Sequence, residues 1–339
     1  MVSLTDVQAS NSRIATALPP RLVAVFVGAT SGIGEATLKQ FVKHTCRPRV
    51  YFVGRSQEAG ERITAECEAL NSEGEFVFVK ADTSLIRNVD EVCHDIKNKE
   101  KVVNLLFLST GSLIFNTETP EGLHFAMALA TYSRTRFIVN LLPLLQQATG
   151  LRRVVSVFTA GKEGPVDTSN IQGRKMSMLS QRRHGSSLVT LSLEALSQKA
   201  PDVAFIHNFP GVVRGGMARG TTGAAMFVFK AVFAVAGPLL YMPDQECGER
   251  HLFLATSARY PAGVTQNAAS GVPLADGVAV ARGTNAQSGS GIYSLDSHGE
   301  SSGPKVEELL AKFRKHGMVE TVWKDTQEQF MRITGTLAV

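Results

Sequence analysis

The chain has 339 residues and a net charge of +5, with 44% hydrophobic and 19% charged residues. This composition excludes a largely disordered protein, because disorder requires low hydrophobicity together with high net charge. The charged fraction is below the average of about 25% for soluble domains, and it does not fit a nucleic-acid binder with a basic face.

Strands and helices are predicted to alternate along most of the chain. Leu22–Val27 is a continuous apolar run, which is typical of a strand covered on both faces in a parallel sheet. Because such strands are joined by right-handed crossovers through helices, we expect an α/β fold with a doubly wound parallel sheet. Further strands are predicted at Arg49–Val53, Glu75–Lys80, Val103–Ser109, Arg153–Phe158 and Val203–Phe209. Helices are predicted at Glu35–His44, Gln57–Ser72, Leu85–Lys99, Leu123–Thr149 and Ser180–Lys199.

The alternation stops after the sixth strand, where Gly215–Met242 is predicted to be a helical insertion above the sheet. Its apolar part, Ala224–Met242, has the length of a membrane span, but it contains Lys230 and Gly237-Pro238. We therefore predict a buried or lid-forming helix, with attachment to a membrane surface as the alternative.

The remaining residues are predicted to form a C-terminal extension of one Rossmann-type domain. The domain is expected to span residues 20–260, with a substrate lid at about 214–245, and the extension residues 261–339. The extension begins with a loop rich in Gly, Ser, Ala and Asn. A helix is predicted at Glu246–Ser257, at the end of the domain. The extension is predicted to contain strand Gly291–Leu295 and helices Val306–Lys315 and Glu320–Ile333.

Cysteine usage and the N-terminus indicate the compartment. The four cysteines show no CxxC spacing, so we predict reduced, mostly buried thiols and no metal site. The first twenty residues lack the pattern of a signal peptide. A cytoplasmic protein is expected.

A glycine-rich turn follows the first predicted strand and opens a helix. The spacing Gly28-x3-Gly32-x-Gly34 lets the backbone turn tightly and approach a nucleotide pyrophosphate at the positive end of the helix. A dinucleotide site is therefore predicted. Its phosphate-binding residues are expected to be Gly28, Thr30, Ser31, Gly32, Ile33 and Gly34.

The end of the second strand indicates which dinucleotide binds. A site for NAD(H) usually has an acidic residue there, whereas an arginine accommodates a 2′-phosphate. This chain has Arg55 followed by Ser56, and no acid. NADP(H) is therefore the predicted cofactor, and an ordinary surface role for Arg55 is the alternative.

Motifs at the strand ends resemble those of the short-chain dehydrogenase/reductase family over residues 20–260. They are GATSGIG, VGRS, Ala81-Asp82-Thr83, Ser109-Thr110-Gly111 and Pro210-Gly211-Val212-Val213, in the family's order. The phrases SVFTAGKEG and ECGERHLFLATS look most like fungal members that tailor secondary metabolites. The resemblance implies further cofactor contacts. They are Asp82 and Thr83 beside the adenine, Ser109, Thr110 and Gly111 against the nicotinamide ribose, and Pro210, Gly211 and Val213 at the nicotinamide.

The family's catalytic residues are absent from their usual places. The resemblance implies a Tyr with a Lys four residues later, a Ser after the fifth strand and an Asn in the long helix. No Tyr occurs between Tyr132 and Tyr241. Counting back from Pro210-Gly211 places Ser180 and His184 near the Tyr and Lys positions, within one or two residues. Phe158 and Thr159 compete for the Ser position, and Ala130 falls near the Asn.

Substitutes for the tyrosine can be suggested from side-chain chemistry. His184 is a candidate acid because the pKa of histidine is near neutrality, with Ser180 or Thr159 orienting the substrate. The alternative is that Ser180 and His184 are helix-surface residues packed near the cofactor. Glu163 is a second candidate acid, or else half of a surface pair with Lys162.

The basic residues concentrate in this same segment. From Arg152 to His184 there are seven basic and two acidic residues, an excess equal to the net charge of the whole chain. The patch is predicted either to attract an anionic group of the substrate or to be a solvated rim.

We therefore expect an NADP(H)-dependent oxidoreductase that acts on a hydrophobic small molecule, a secondary-metabolite intermediate, through a non-standard active site. Alternatives are a non-redox cyclase or isomerase on the same scaffold and a nucleotide-binding pseudoenzyme. No nucleic-acid partner is expected. A homo-oligomer paired through the long helices, as is common in the family, is possible.

Overall fold

A seven-stranded parallel sheet forms the centre of the computed structural model, which describes residues 2–115, 117–216, 241–264 and 271–339. The strand order is β3-β2-β1-β4-β5-β6-β7, so the winding reverses between β1 and β4, where open α/β sheets bind their ligands. The predicted Rossmann-type sheet is confirmed. The strands are β1 (Val23–Val27), β2 (Arg49–Gly54), β3 (Glu75–Lys80), β4 (Leu105–Leu108), β5 (Arg153–Val157), β6 (Ala204–Asn208) and β7 (Ile292–Leu295).

Helices cover both faces of the sheet. Alternation along β1 sends Phe26 into the core with Phe41 and Leu252 on one face, while Val25 packs with Phe137 on the other. The helices of the described residues are α1 (Leu4–Ser12), α2 (Ile14–Ala17), α3 (Gly32–His44), α4 (Gln57–Leu70), α5 (Ile86–Lys99), α6 (Phe125–Met127), α7 (Ser133–Gln147), α8 (Met178–Lys199), α9 (Asp244–Thr256), α10 (Pro304–Lys315) and α11 (Met318–Thr334).

Two parts of the chain differ from the sequence interpretation. Helices α1 and α2 were not predicted, and α1 packs on α9, where Asn11 Nδ2 donates a hydrogen bond to Glu249 Oε2 (2.5 Å). Strand β7 comes from the predicted extension, yet it pairs in parallel with β6. Residues beyond 260 therefore complete the sheet.

The long helical region predicted from Leu123 contains a change of helix type. A π-helical turn, Ala128–Tyr132, lies between α6 and α7. Such turns often occur at functional sites, because they leave backbone carbonyls free for other partners. The carbonyl of Leu129 accepts from Arg134 Nε (3.2 Å), a contact that matters for the site described below.

The four cysteines are free, and all but Cys46 are buried. Among the described residues, no helix has the length and apolarity needed to cross a bilayer. The predicted lid helix within 215–242 falls almost wholly outside those residues, so it stays a prediction.

Candidate active site

The glycine turn between β1 and α3 forms a cradle of half-buried and buried backbone. Gly28 has a left-handed φ of +86°, and a Cβ there would lie 2.8 Å from the backbone nitrogen of Thr110. A Cβ on Gly34 would lie 2.6 Å from the carbonyl oxygen of Gly28, so only glycine allows this packing. Ser31 at the N-terminal end of α3 makes no side-chain cap. The first N–H groups of α3 thus keep the capacity to bind an anion such as a pyrophosphate.

Arg55 directly follows β2, beside this cradle. Its side chain is exposed and has no hydrogen bond or ion pair to any residue that the structure describes. Ser56 Oγ caps α4 by accepting from the N–H of Ala59 (3.2 Å), which leaves its own hydrogen available to donate. Thr30 packs against the backbone at Gly54. An arginine and a hydroxyl donor at this place fit a 2′-phosphate.

The other predicted cofactor residues lie at the carboxyl ends of their strands. Ser109 Oγ donates to the carbonyls of Val27 (3.2 Å) and Gly28 (3.3 Å), so it holds β4 against the cradle. Asp82 Oδ1 accepts from the N–H of Ser84 (3.0 Å), and Thr83 is buried. Thr110 Oγ1 donates to the carbonyl of Leu129 (3.4 Å). Gly111, Pro210, Gly211 and Val213 lie in the loops that follow β4 and β6.

A buried arginine that the sequence did not single out lies beneath these loops. Arg134 on α7 donates to Ser156 Oγ (2.7 Å), to the carbonyl of Leu108 (3.2 Å) and to the carbonyl of Thr110. No carboxylate among the described residues pairs with it, and burial lowers its pKa to about 9. Arg134 therefore ties the ends of β4 and β5 together and places a positive charge beneath the site.

Of the two residues that compete for the family's serine position, Thr159 carries the hydroxyl. Its N–H donates to His207 Nε2 (3.2 Å), and its carbonyl accepts from Ser186 Oγ (2.6 Å). The Oγ1 of Thr159 is buried and has no hydrogen-bond partner in the described part of the chain. Phe158 instead stacks on His207, with ring centroids 6.4 Å apart. Other buried hydroxyls share this property, namely those of Thr131, Ser133 and Ser192. It is therefore the position of Thr159 just after β5 that makes it the candidate for a ligand contact.

The candidates on α8 have other partners. Ser180 is exposed in the first turn, where its N–H donates to Ser177 Oγ (3.3 Å). His184 is buried; its Nδ1 accepts from the N–H of Asp167 (3.3 Å), and its Nε2 donates to the carbonyl of Ile171 (2.8 Å). Both ring nitrogens are thus engaged by loop backbone, which favours a structural role over that of an acid. Catalytic roles for Ser180 and His184 stay predictions.

Arg182 on α8 reaches the segment that follows β6. The guanidinium carbon of Arg182 lies 5.5 Å from the ring centroid of Phe209. Ser186 lies one helical turn after Arg182, and its hydroxyl donates to the carbonyl of Thr159. Lys162 Nζ lies 5.8 Å from the centroid of the Phe209 ring. Phe209 directly precedes Pro210 in the sequence. Arg182 lies two residues from each of Ser180 and His184, the positions reached by counting back from Pro210-Gly211.

Glu163 is not half of a surface pair with Lys162, because its side chain is 0% exposed. Its Oε1 accepts from Thr190 Oγ1 (2.9 Å) and Ser294 Oγ (2.7 Å), and burial raises its pKa. Thr190 Oγ1 also lies 2.8 Å from His207 Nδ1, and burial lowers the pKa of His207 to about 3. Neutral His207 therefore donates from Nδ1 to Thr190, which donates to Glu163, in a buried chain that links β6, α8 and β7.

Comparisons with known proteins agree with this geometry. Residues 22–156 match the family model described as short chain dehydrogenase. The oxidoreductase AN1596 of Emericella nidulans is 38% identical over 333 residues, which cover 96% of this chain and 97% of that protein. The oxidoreductase andH of Emericella variicolor is 32% identical over 339 residues, covering 99% of each chain.

A likeness to solved structures concerns the fold. The Pseudomonas aeruginosa RhlG/NADP active-site complex has a TM-score of 0.55 to this chain at 17% identity. The superposition covers 78% of this chain and 98% of that one. The same sheet and helix arrangement is therefore found in a protein whose structure contains NADP.

Proposed function

The chain belongs to the short-chain dehydrogenase/reductase family, and we propose that it is an NADP(H)-dependent oxidoreductase acting on a hydrophobic small molecule. The observation that carries this proposal is the glycine cradle at Gly28–Gly34 beside an arginine, Arg55, that has no partner in the described residues. The oxidoreductase names of the two Emericella relatives and the NADP in the RhlG complex support it. The fungal origin of the relatives supports a secondary-metabolite substrate.

The residues of the chain fit the proposed cofactor. The N–H groups at the start of α3 would hold the pyrophosphate, and Arg55 with Ser56 would hold the 2′-phosphate. Asp82 and Thr83 would lie beside the adenine, while the loops at Ser109–Gly111 and Pro210–Val213 would border the nicotinamide. When bound, NADPH supplies a hydride to the substrate.

The chain's own residues would manage the charge that follows hydride transfer. A carbonyl that accepts hydride develops negative charge on its oxygen, and a positioned acid ordinarily contributes about 10²–10⁴-fold to such a reaction. With no Tyr between 132 and 241, we assign the orphan hydroxyl of Thr159 to hold this oxygen. Arg182 would stabilise its charge through its guanidinium group.

Such a site favours substrates that need little help from an acid. An iminium, or a conjugated system that carries a positive charge, becomes neutral when hydride arrives, so no proton has to be delivered at that step. Binding and orientation alone can then contribute several kcal/mol to lowering the barrier. The absence of the tyrosine also favours the second candidate function, a cyclase or isomerase on the same scaffold.

Titration of the purified protein with NADPH and NADH, combined with metabolite profiling of cells with and without the protein, tests the proposal. We expect tighter binding of NADPH, and stoichiometric loss of NADPH as the metabolite that accumulates without the protein is converted. Conversion without NADPH loss would establish the cyclase or isomerase instead. Failure to bind NADPH would overturn the proposal.

A further inference from the structure

A cavity of about 610 Å³ lies between the loop after β5, the first turns of α8 and the helix α10. This volume is within the usual range of about 300–1,000 Å³ for small-molecule sites. Five basic side chains line it: Lys162, Arg182, Arg183, Lys305 and Lys312. The first three belong to the basic segment that the sequence singled out, and α10 adds the other two.

The basic side chains of this cavity form no ion pairs with residues that the structure describes. In the described parts of the chain, no carboxylate lies within ion-pair distance of any of the five side chains. The other charged residues lining the cavity are the exposed Glu308 and the buried Glu163. With five basic side chains against one exposed carboxylate, the lining carries a net positive charge, and a concave site with such an excess attracts an anion.

One wall of the same cavity is apolar. It consists of Pro165, Leu179, Val306 and Leu309. Leu179 is 65% exposed, which is unusual for a leucine in the first turn of a helix that is otherwise largely buried. Apolar surface beside cationic side chains suits a molecule with a hydrophobic body and an anionic end.

Glu163 borders the cavity without opening its carboxyl group to it. Its side chain is 0% exposed while the whole residue is 6% exposed, so the exposed part of Glu163 is backbone. Its Oε1 is held by Thr190 and Ser294. Burial raises the pKa of Glu163, which favours the neutral carboxyl, so this residue does little to offset the positive charge of the lining.

We infer that this cavity binds the anionic end, a carboxylate or a phosphate, of an amphiphilic small molecule. Arg182 lines the cavity and also lies over Phe209 at the end of β6, so the cavity and the candidate active site share a wall. The inference therefore rests on the proposed function in one respect, that the molecule bound is the substrate. Its hydrophobic body would lie on the Leu179 side, and its anionic end among the lysines and arginines.

Calorimetric binding to the full chain saturated with NADPH tests the inference, with decanoate, decyl phosphate and decanamide as probes. We expect at least one of the two anions to bind ten times more tightly than the neutral amide. The double variant Lys305→Glu/Lys312→Glu should abolish that preference, because both exposed lysines line the cavity. The matched control Lys101→Glu/Lys315→Glu makes the same charge change at exposed positions that do not line it.

Each outcome decides the inference. A preference for decanoate or for decyl phosphate that only the first variant abolishes supports it and identifies the anion. Equal binding of all three probes overturns it, as does an equal loss in the control. NADPH titration of the same proteins separates the two proposals. If NADPH binds normally but the anions bind no more tightly than the amide, the inference that the cavity binds an anion is refuted. If NADPH does not bind, the proposed function is refuted.

Discussion

Replacing Arg55 by alanine is expected to weaken NADPH binding about 10- to 150-fold and to leave NADH binding unchanged. A hydrogen bond to a charged group contributes about 1.5–3 kcal/mol, and each factor of ten in affinity corresponds to about 1.4 kcal/mol. NADH lacks the 2′-phosphate, so it loses none of this. The ratio of the two dissociation constants is therefore the quantity that reports on Arg55.

The structure indicates that Arg55→Ala tests cofactor binding without disturbing the fold. Arg55 is exposed and has no partner in the described residues, so its loss breaks no contact of the fold. Surface substitutions of this kind usually change stability by less than about 0.5 kcal/mol. The thermal unfolding midpoint of Arg55→Ala should therefore match the unmodified protein, and a weaker NADPH affinity could not be attributed to misfolding.

Arg47 provides the matched control, because it precedes the other end of β2 and is also exposed. At about 3.3 Å per residue it lies roughly 25 Å from Arg55, which is about three Debye lengths at physiological salt. Arg47→Ala removes the same charge and should leave both affinities unchanged. Fluorescence titration of the three proteins measures this. Equal losses for NADPH and NADH, or an equal effect of Arg47→Ala, would refute the role of Arg55.

Three further predictions follow from buried groups. Thr159→Val should lower kcat at least tenfold without changing the Kd for NADPH, and Thr159→Ser should retain most activity; unchanged turnover in the valine variant would remove Thr159 from the mechanism. Glu163→Gln should flatten the pH dependence of stability: because burial raises the pKa of Glu163, its contribution is present below the ordinary value of 4.5 and lost as pH rises through the raised pKa. Urea unfolding at a series of pH values checks this, and an identical slope in the variant would contradict it. Arg136→Met should lower the free energy of unfolding by about 3–5 kcal/mol, since it leaves Asp90, 2.5 Å away, as an unpaired and mostly buried carboxylate. A loss below about 1 kcal/mol in urea titration would show that Asp90 finds another partner.

The inner strands β1 and β4 could be predicted because they are buried on both faces and read as unbroken apolar runs. The half-buried edge strand β3 was predicted to the residue as Glu75–Lys80. The cradle could be predicted because Gly28 and Gly34 occupy backbone positions that no larger residue tolerates. Both signals depend on the residue types within one segment, so they can be recognised without knowing which distant residues that segment contacts.

The orientation of α8 could not be predicted. A loop of 20 residues (158–177) separates α8 from β5. Counting residues from the neighbouring motifs therefore does not fix which α8 residues face the strand ends. From His184 to Leu196 the helix is buried on every side, and no polar stripe marks the face that meets the sheet. The structure shows that Arg182 and Ser186 lie toward the strand ends, while His184 holds the loop.

Helix α1 illustrates the same limit at the other end of the chain. Its residues are mostly polar, and it is stabilised by Asn11 reaching Glu249 on α9, far away in the sequence. Propensity alone does not favour such a helix; tertiary packing does.

The excess of five positive charges was readable from the sequence down to the segment that carries it, because charge is a property of each residue alone. Its consequence depended on tertiary structure. Folding buried Glu163 beneath the basic segment and brought Lys305 and Lys312 from α10 to the same cavity. The sequence by itself determined the sheet, the cradle and the absence of the tyrosine. Only the tertiary structure decided which charges share a cavity, since burial and proximity arise from contacts between residues distant along the chain.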